Sequence, residues 1–294
     1  MDGHPIGGIE LMNVYEAIVP ENAPTQRLEN YLSRAFPLLP PHVIRNALAK
    51  KDVKQNGQRC TRDTLLLPGA KVQLYTAHSA TIPIVYEDEH ILLLHKPAGI
   101  SCDEDSRGGM TVLNIAEKMA AGAYVPRLCH RLDNQTSGLL LLAKDDESEQ
   151  ILLEAFENHT LEKVYECLVR GQMRPEKARM KAYLVKDAAR ATVRVITHET
   201  PGAQPIETLY ETLSFDGTLS RLQVTLLTGR THQIRAHMAF LSHPLLGDDK
   251  YGDRNFNKRM KTTALHLCAV RLTLHLSGCL SYLDGCTFSI QPPF

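Results

Sequence analysis

The sequence predicts an α+β fold in two parts, a small N-terminal α/β domain over residues 13–77 and a larger domain over residues 82–294. Three observations lead to this prediction. Helical and strand patterns follow one another without the regular strand–helix–strand alternation of a parallel α/β protein. Basic residues are concentrated in the first part of a chain whose formal net charge is zero. The polar stretch His78-Ser79-Ala80-Thr81 is predicted to link the two parts.

Two helices and a small hairpin are predicted in the N-terminal part. Apolar residues at helical spacing mark one helix over residues 28–35, with Thr25 as its predicted cap, and a second helix over residues 43–48. Asn56-Gly57 is a strong signal for a tight turn between short strands. The alternation at residues 72–75 predicts a further strand.

The N-terminal part is also locally basic. Residues 27–77 contain nine lysines and arginines against three acidic residues, Glu29, Asp52 and Asp63. Such a surplus on a neutral chain is the electrostatic pattern of a nucleic-acid-binding surface. An ordinary small domain whose lysines face water is the alternative interpretation. The candidate binding residues are Arg27, Arg45, Lys50, Lys51 and Lys54.

The larger part begins with two predicted strands, at residues 84–86 and 91–94. An amphipathic helix is predicted over residues 111–121 and another over residues 148–158. Between them, residues 139–143 form an apolar run that predicts a buried strand.

The remaining sequence is rich in strand patterns. Residues 165–227 contain several, and residues 222–226 alternate cleanly between polar and apolar. Thr231 is predicted to open a helix in which Ile234, Met238 and Leu241 share a face. Short strands follow to the C-terminus. We therefore expect a large, mostly antiparallel or mixed sheet flanked by helices.

Several classes of protein are disfavoured. The longest apolar runs fall short of the roughly 20 residues that cross a bilayer, and the N-terminus lacks the pattern of a secretory signal. Seven scattered cysteines without a C-x-x-C pair favour reduced thiols and a cytoplasmic location. His232, His237 and His243 lie five and six residues apart, which does not match the spacing of helical metal ligands. No metal site is expected.

Asp133 stands at the most informative junction of the chain. The charged triplet at residues 130, 131 and 133 directly precedes the apolar run, so charge is placed at the end of a buried element. Arg131 and Asp133 are two apart and would face the same side of an extended segment. Taken alone, such an aspartate is more often a cap or a turn residue than a reactive group.

Two other segments carry candidate chemistry. Arg230 follows a strand and precedes a helix, where exposed amides favour anions and a guanidinium can meet a carboxylate or a phosphate. Taken alone, it is more often a surface arginine beside a capping threonine. Lys163 and Tyr165 lie on one face of a predicted strand, so the tyrosine hydroxyl could enter a cleft.

Together these motifs resemble the RluA family of pseudouridine synthases. The matching stretches are H-R-L-D-x-x-T-S-G-L at 130–139, K-x-Y at 163–165, T-G-R-T-H-Q-I-R at 228–235, P-L-L-G-D at 244–248 and A-L-H-L at 264–267. The resemblance covers residues 82–294. The chain departs from the family at His95, where asparagine is frequent, and at residues 101–103, where a V-H-P run is common. The N-terminal part resembles the alpha-L RNA-binding module, through R-L-x-x-Y-L at 27–32 and V-x-x-N-G at 53–57.

The resemblance implies that the chain isomerises uridine to pseudouridine in RNA without a cofactor. Asp133 matches the family's catalytic aspartate, which either attacks C1′ of the ribose or helps to remove the 2′ proton. Tyr165 matches the active-site tyrosine, which packs against the uracil and could assist removal of the C5 proton. Arg230 is the guanidinium expected beside the carboxylate. Arg131 matches the arginine that replaces the flipped nucleotide in the RNA.

His130, Thr136 and Lys163 belong to the same motifs and are predicted to contact the substrate. The expected partner is RNA, held by the N-terminal module and the cleft. Ribosomal RNA is favoured, with tRNA as the second candidate, and a monomer is favoured. An inactive RNA-binding or ribosome-assembly protein on the same fold is the main alternative. A carboxylate glycosidase or a metal hydrolase is a weaker one, because no second carboxylate or ligand set stands out.

Overall fold

The computed structural model describes residues 12–105, 108–187 and 191–294. The described residues divide into two compact units, one within residues 12–81 and 103–119 and one within residues 82–102 and 120–294. The elements of the first 110 residues are β1 (Asn13–Ile18), α1 (Leu28–Ala35), α2 (Pro41–Ala49), β2 (Val53–Gln55), β3 (Gln58–Arg59), β4 (Lys71–Thr76), β5 (Ile84–Glu87) and β6 (Ile91–Lys96).

The first unit is built on a four-stranded antiparallel sheet in the order β1-β4-β2-β3. Leu28 and Leu32 of α1 are fully buried, as are Val72 and Leu74 of β4, because their apolar periodicity turns one side of each element inward. The two predicted helices, the Asn56-Gly57 turn and the strand at 72–75 are present. The predicted cap is wrong, because Arg27, not Thr25, is the N-cap residue of α1.

The remaining elements follow in chain order. They are α3 (Val112–Ala120), β7 (Arg127–Leu128), β8 (Ser137–Ala143), α4 (Asp146–Glu157), β9 (Glu162–Arg170), β10 (Lys177–Asp187), β11 (Thr192–Ile196), β12 (Gln204–Phe215), β13 (Leu219–Leu226), α5 (Gln233–Phe240), α6 (Arg254–Arg259), β14 (Leu267–Thr273) and β15 (Thr287–Ser289), with a 3₁₀ helix at Gly278–Leu283 before β15.

Most of α3 belongs to the first unit, although it follows β6 in the chain. Lys118 donates to the carbonyl of Val14 at 3.0 Å, and its ammonium lies 4.5 Å from the centre of the Tyr15 ring. Upstream of the helix, the Met110 N–H donates to the Ala35 carbonyl at 2.8 Å. The first unit therefore combines two stretches of chain that are separate in sequence.

The second unit is organised by an eleven-stranded mixed sheet. Its main path runs β11-β10-β12-β13-β9-β14-β8-β6-β5, with β15 beside β14 and β7 beside β8. Strands β8 and β14 are parallel, whereas the other described pairs are antiparallel. This confirms the predicted α+β class. At the parallel pair, a Cβ on Gly138 would lie 2.4 Å from backbone atoms of Ala269, so glycine permits the close approach of the two strands.

The strand predicted to be buried is the centre of the sheet. Every residue of β8 is buried, and Leu139 and Leu141 pack in one cluster with residues of β6, α4 and the 3₁₀ helix. A strand covered on both faces needs apolar residues at each position rather than an alternation. This rigid strand begins four residues after Asp133 and so fixes where that aspartate lies.

The helix predicted to open at Thr231 begins two residues later. His232 is the N-cap residue of α5, with a left-handed backbone conformation at φ 55°. Among the described residues, no helix is both long and apolar enough to cross a membrane. All seven cysteines are free thiols.

Candidate active site

Asp133 lies in the loop that joins β7 to β8, with 23% of its side chain exposed. Burial alternates along the loop, since Arg131 is exposed, Leu132 is buried and Asp133 is intermediate. The carbonyl of Asp133 accepts a hydrogen bond from the Thr136 N–H at 3.0 Å, which closes a turn. The carboxylate therefore stands at the entrance of the buried strand, on a loop that a short turn holds in place.

The buried side chain of Lys96 stabilises this loop. Its side chain is fully buried, and its ammonium donates to the carbonyl oxygens of Asn134 at 3.1 Å, Ile100 at 2.9 Å and Pro97 at 3.2 Å. Burial lowers the pKa of Lys96 to about 8, although the nearby Cys102 and Asp133 oppose that shift. One ammonium thus ties the loop after β6 to the residue that follows Asp133.

Arg235 of α5 is the guanidinium beside Asp133. Its Nη1 lies 3.4 Å from Oδ2 of Asp133. The same side chain pairs with Asp248 through two hydrogen bonds, from Nε to Oδ2 at 2.8 Å and from Nη2 to Oδ1 at 2.9 Å, and Nη2 also reaches Asp249 at 3.0 Å. This fork geometry is the one that arginine forms best with a carboxylate.

Arg235 stays protonated although its side chain is buried. Burial alone would lower the pKa of Arg235, but the hydrogen-bonded Asp248 outweighs it, together with Asp133 and Asp249, and the pKa is raised. Asp248 is 1% exposed, and its Oδ1 also accepts from the backbone N–H groups of Lys250 and Tyr251. The guanidinium is therefore held rigidly while one of its nitrogens faces Asp133.

His232 approaches Asp133 from the start of α5. Its Nε2 lies 3.9 Å from Oδ2 of Asp133, and its Nδ1 lies 2.8 Å from the hydroxyl of Tyr251. The Tyr251 ring also lies 5.4 Å from the guanidinium carbon of Arg235. Histidine, arginine and aspartate are thus assembled around one tyrosine.

The sheet contributes Tyr165 as a further candidate active-site residue. It lies on β9 opposite Val224 of β13 and Ala269 of β14, and it is 9% exposed. Burial raises the pKa of Tyr165, and the charge of Asp133 raises it further. The phenol is therefore neutral at neutral pH.

Lys163 precedes Tyr165 by two residues on the same strand face. Its ammonium lies 5.6 Å from the centre of the Phe156 ring, and burial lowers the pKa of Lys163. A carboxylate paired with a fixed cation can act as a nucleophile or as a general base. Residues 90–240, which carry all of these side chains except Asp248, Asp249 and Tyr251, match the family model described as RNA pseudouridylate synthase.

Curated relatives agree with this match. The chain is 31% identical over 258 residues to a ribosomal large subunit pseudouridine synthase C of Vibrio cholerae, with 81% of each chain covered. It is 30% identical over 270 residues to the protein of the same name from Escherichia coli, covering 86% of this chain and 84% of that one. The chain belongs to the RNA pseudouridylate synthase family. It is an isomerase that converts uridine to pseudouridine in RNA.

Solved structures show the same fold. The human RNA pseudouridylate synthase domain containing 4 has a TM-score of 0.59 at 22% identity, over 71% of this chain and 88% of that one. The human RNA pseudouridylate synthase domain containing 1 has a TM-score of 0.58, also at 22% identity, over 73% of this chain and 91% of that one.

The arginine beside Asp133 is Arg235, and not Arg230 as the sequence had predicted. Arg230 is exposed, and its backbone N–H donates to Oε1 of Gln233 at 3.1 Å. Arg235 occupies the expected place because it lies inside α5, close to the face of Ile234 and Met238. An arginine next to the apolar face of a helix was the available signal, since a buried charge there needs a partner.

His130 supports the sheet rather than facing a substrate. Its Nε2 accepts a hydrogen bond from the Leu141 N–H at 3.0 Å, and its ring stacks on Phe156 with centres 4.3 Å apart. Burial lowers the pKa of His130 to about 3. Thr136 is also buried, at 3% exposure. A substrate contact requires a side chain that is accessible from the cleft. His130 is instead used within the sheet and Thr136 is buried, so we no longer count either among the candidate substrate contacts.

The predicted contacts of the N-terminal unit are on its surface. Arg27, Arg45, Lys50 and Lys51 are exposed, and Lys54 is half-buried with its ammonium 5.0 Å from the centre of the Tyr75 ring. No ion pair within the described ranges joins these five cations to an acid. Their role in binding RNA stays a prediction.

A groove of about 500 Å³ adjoins the buried ion network. Its lining includes Asp248 and Asp249 together with three basic residues, Arg254, Lys258 and Lys261. We call it the 254–263 groove. Its loop is held by Asn257, which accepts from the Gly247 N–H at 3.0 Å and donates to the Asp248 carbonyl at 3.1 Å. Within the part of the chain that the structure describes, no cluster of histidine, cysteine and acidic side chains could hold a metal ion.

Proposed function

We propose that this enzyme forms pseudouridine in ribosomal RNA of the large subunit. The observation that carries the proposal is the carboxylate of Asp133, which pairs with the charged, buried Arg235 and whose charge raises the pKa of Tyr165 on β9. The two curated relatives named above cover more than four fifths of the chain, and both are named as ribosomal large subunit synthases. A tRNA substrate is the second candidate.

In this proposal Asp133 acts at the ribose. The glycosidic bond from N1 to C1′ breaks, the uracil turns, and C5 bonds to C1′. Asp133 either attacks C1′ or takes the 2′ proton, and both roles need an ionised carboxylate. Arg235 places a fixed positive charge 3.4 Å from that carboxylate.

Tyr165 enters the reaction as a neutral phenol in this scheme. Its raised pKa leaves little phenolate at neutral pH, so its first role is to pack against the uracil ring. Tyr165→Phe keeps that ring and should therefore retain more activity than Tyr165→Ala.

Substrate binding involves three regions in this proposal. The target nucleotide must leave the RNA stack before its C1′ can be reached. In this scheme Arg131, which is exposed and lies two residues before Asp133, fills the gap, because a planar cation can stack on bases and contact phosphate. The cations of the N-terminal module and of the 254–263 groove then hold the flanking phosphates.

The direct test is to incubate the full chain with unmodified large-subunit RNA, small-subunit RNA and tRNA, and then to map pseudouridine at single-nucleotide resolution. We expect new pseudouridine at few positions in large-subunit RNA. Modification of tRNA alone would move the substrate to the second candidate. Tight RNA binding without any modification would support the inactive binding protein instead.

A further inference from the structure

We propose that His232 is a positioning residue, which holds one carboxylate oxygen of Asp133 and leaves the other oxygen for the substrate. The inference rests on the proposed function, because it concerns how the same carboxylate is presented. It starts from a histidine of the T-H-Q-I-R motif whose role the reaction scheme has not used.

Two side chains converge on the same atom of Asp133. Nη1 of Arg235 lies 3.4 Å from Oδ2, and Nε2 of His232 lies 3.9 Å from the same oxygen. Among the described residues no side chain forms a hydrogen bond with Oδ1. Arg235 thus binds Oδ2 by a hydrogen bond, His232 acts on the same oxygen through a longer electrostatic contact, and Oδ1 is left to act on the ribose in this proposal.

The hydrogen bonds of Tyr251 favour one form of the imidazole. The Val193 N–H donates to the Tyr251 hydroxyl oxygen at 2.9 Å, which leaves the phenolic proton to be donated to Nδ1 of His232 at 2.8 Å. A neutral imidazole that accepts at Nδ1 carries its proton on Nε2. The opposite form would point a nitrogen lone pair at a carboxylate, which is repulsive. Nε2–H therefore faces Asp133.

The ring is held in place at a conformational cost. His232 has a left-handed backbone, at φ 55°, which residues other than glycine rarely adopt. Within the described residues its ring forms no capping hydrogen bond to α5, although it occupies the N-cap position. It packs edge-on against Tyr251 instead, with ring centres 5.5 Å apart and planes at 71°. The turn therefore directs the ring to Tyr251 and Asp133 rather than to the helix.

A neutral donor suits this place better than a second cation. Burial lowers the pKa of His232, and Arg235 and Lys250 lower it further, while Asp133 and Asp248 oppose them. Burial thus favours the uncharged form of this histidine. An N–H dipole orients the carboxylate without adding a full charge that would make its oxygen less reactive toward the ribose.

Two variants separate positioning from a structural role. His232→Asn suits a left-handed backbone and can still accept from Tyr251, but its amide is too short to reach Asp133. His232→Gln suits that backbone less well, yet its amide nitrogen reaches about as far as Nε2. We expect His232→Asn to lower kcat by up to about 100-fold, the scale of effect that a misplaced reacting group produces. His232→Gln should recover most of that loss, with KM for RNA unchanged in both.

A structural role predicts the reverse order, because asparagine fits the turn better. His232→Gln with equal or lower kcat than His232→Asn would overturn the proposal, as would two variants with wild-type kcat. Unfolding temperatures of both variants should be measured alongside, so that kcat is compared between folded proteins. His159→Gln is the matched control, since His159 is an exposed histidine with the same left-handed backbone, at φ 56°. It should leave kcat unchanged.

The same assay keeps this inference distinct from the proposed function. If the wild-type chain modifies no RNA, the proposed function fails before His232 is tested. If the wild type is active and the order of the two variants is reversed, the inference about His232 alone fails.

Discussion

The cations of this enzyme are used in two opposite ways. In the N-terminal unit, Arg27, Arg45, Lys50 and Lys51 lie exposed on the surface. In the second unit, Arg235 is 3% exposed and contacts three carboxylates. The same residue types are therefore exposed to solvent in one region and fixed by ion pairs in the other.

The difference follows from solvation. An exposed cation keeps its water, adds little to folding stability and attracts any nearby phosphate, with an effect that salt screens. A buried cation has lost its water and must be paired, so removing one partner leaves an uncompensated charge. Changes in the first region should thus alter RNA affinity gradually, whereas changes in the second should alter catalysis and stability sharply.

The largest effect is expected from Asp133→Asn. This substitution keeps the size of the side chain but replaces the charged carboxylate with a neutral amide, which is a poor nucleophile and a poor base. We expect kcat to fall by at least about 10,000-fold, as for other groups that react directly, with little change in the Kd for RNA. Single-turnover assays with tritium release from C5 would measure it. An Asp133→Asn enzyme that still turns over at more than a tenth of the wild-type rate would contradict the scheme.

Arg235→Lys should produce the next effect, on both stability and rate. Lysine keeps the charge but cannot form two parallel hydrogen bonds, so the buried carboxylate of Asp248 loses its bidentate partner. We expect a loss of about 3 kcal/mol in unfolding free energy and a roughly 100-fold lower kcat. Denaturant titration and single-turnover assays test this. Arg230→Lys is the control, because Arg230 is exposed, and an equal loss of stability there would refute the assignment of Arg235.

The buried histidine His237 predicts a pH effect on stability. Burial lowers the pKa of His237 to about 4 from an ordinary value of 6.5, and its Nδ1 lies 3.1 Å from Oγ1 of Thr208. Below pH 6.5 the unfolded chain binds a proton that the folded chain does not. Stability should thus fall by about 1.4 kcal/mol per pH unit for this group between pH 6.5 and 4. Denaturant titrations of His237→Gln should show a shallower fall over this range. A slope equal to that of the wild type would exclude this histidine as a source.

The smallest effect is expected for exposed cations of the N-terminal unit, and it concerns the affinity for RNA. Lys50→Gln with Lys51→Gln removes two cations that have no acidic partner among the described residues, and RNA affinity should fall several-fold at low salt. The slope of log K against log salt should become shallower by about 0.7 to 0.9 for each phosphate that is no longer neutralised, with kcat at saturating RNA unchanged. Lys71→Gln is the control, since Glu16 already lies 2.9 Å from that ammonium. If the double variant and Lys71→Gln showed equal slopes of log K against log salt, the N-terminal module would not be the RNA-binding surface.

Local patterns predicted the elements well because each is set by neighbouring residues. The apolar run at 139–143 became the central strand β8, and the periodicity at 111–121 became α3. The starts of helices were predicted less well. Thr25 and Thr231 are good capping residues in isolation, but the chain around them places Arg27 and His232 at the N-caps.

The candidate site divides in the same way. Local motifs single out Asp133, four residues before β8, and Tyr165, within β9. The partner of Asp133 was misplaced by five residues, from Arg235 to Arg230, because that contact joins positions 102 residues apart. His130 was misread for a similar reason, since its partner is the backbone of a strand that only folding brings beside it.

Sequence alone was enough to establish the α+β class, the buried strand before which Asp133 lies, the basic character of the N-terminal part and the motifs that place the chain among pseudouridine synthases. These depend on periodicity and composition, which are local. Folding in three dimensions brings Arg235, His232 and Tyr251 together at Asp133, and it joins helix α3 to the N-terminal unit. Contacts of this kind depend on strand order and on the pairing of buried charges, which no single stretch of sequence specifies.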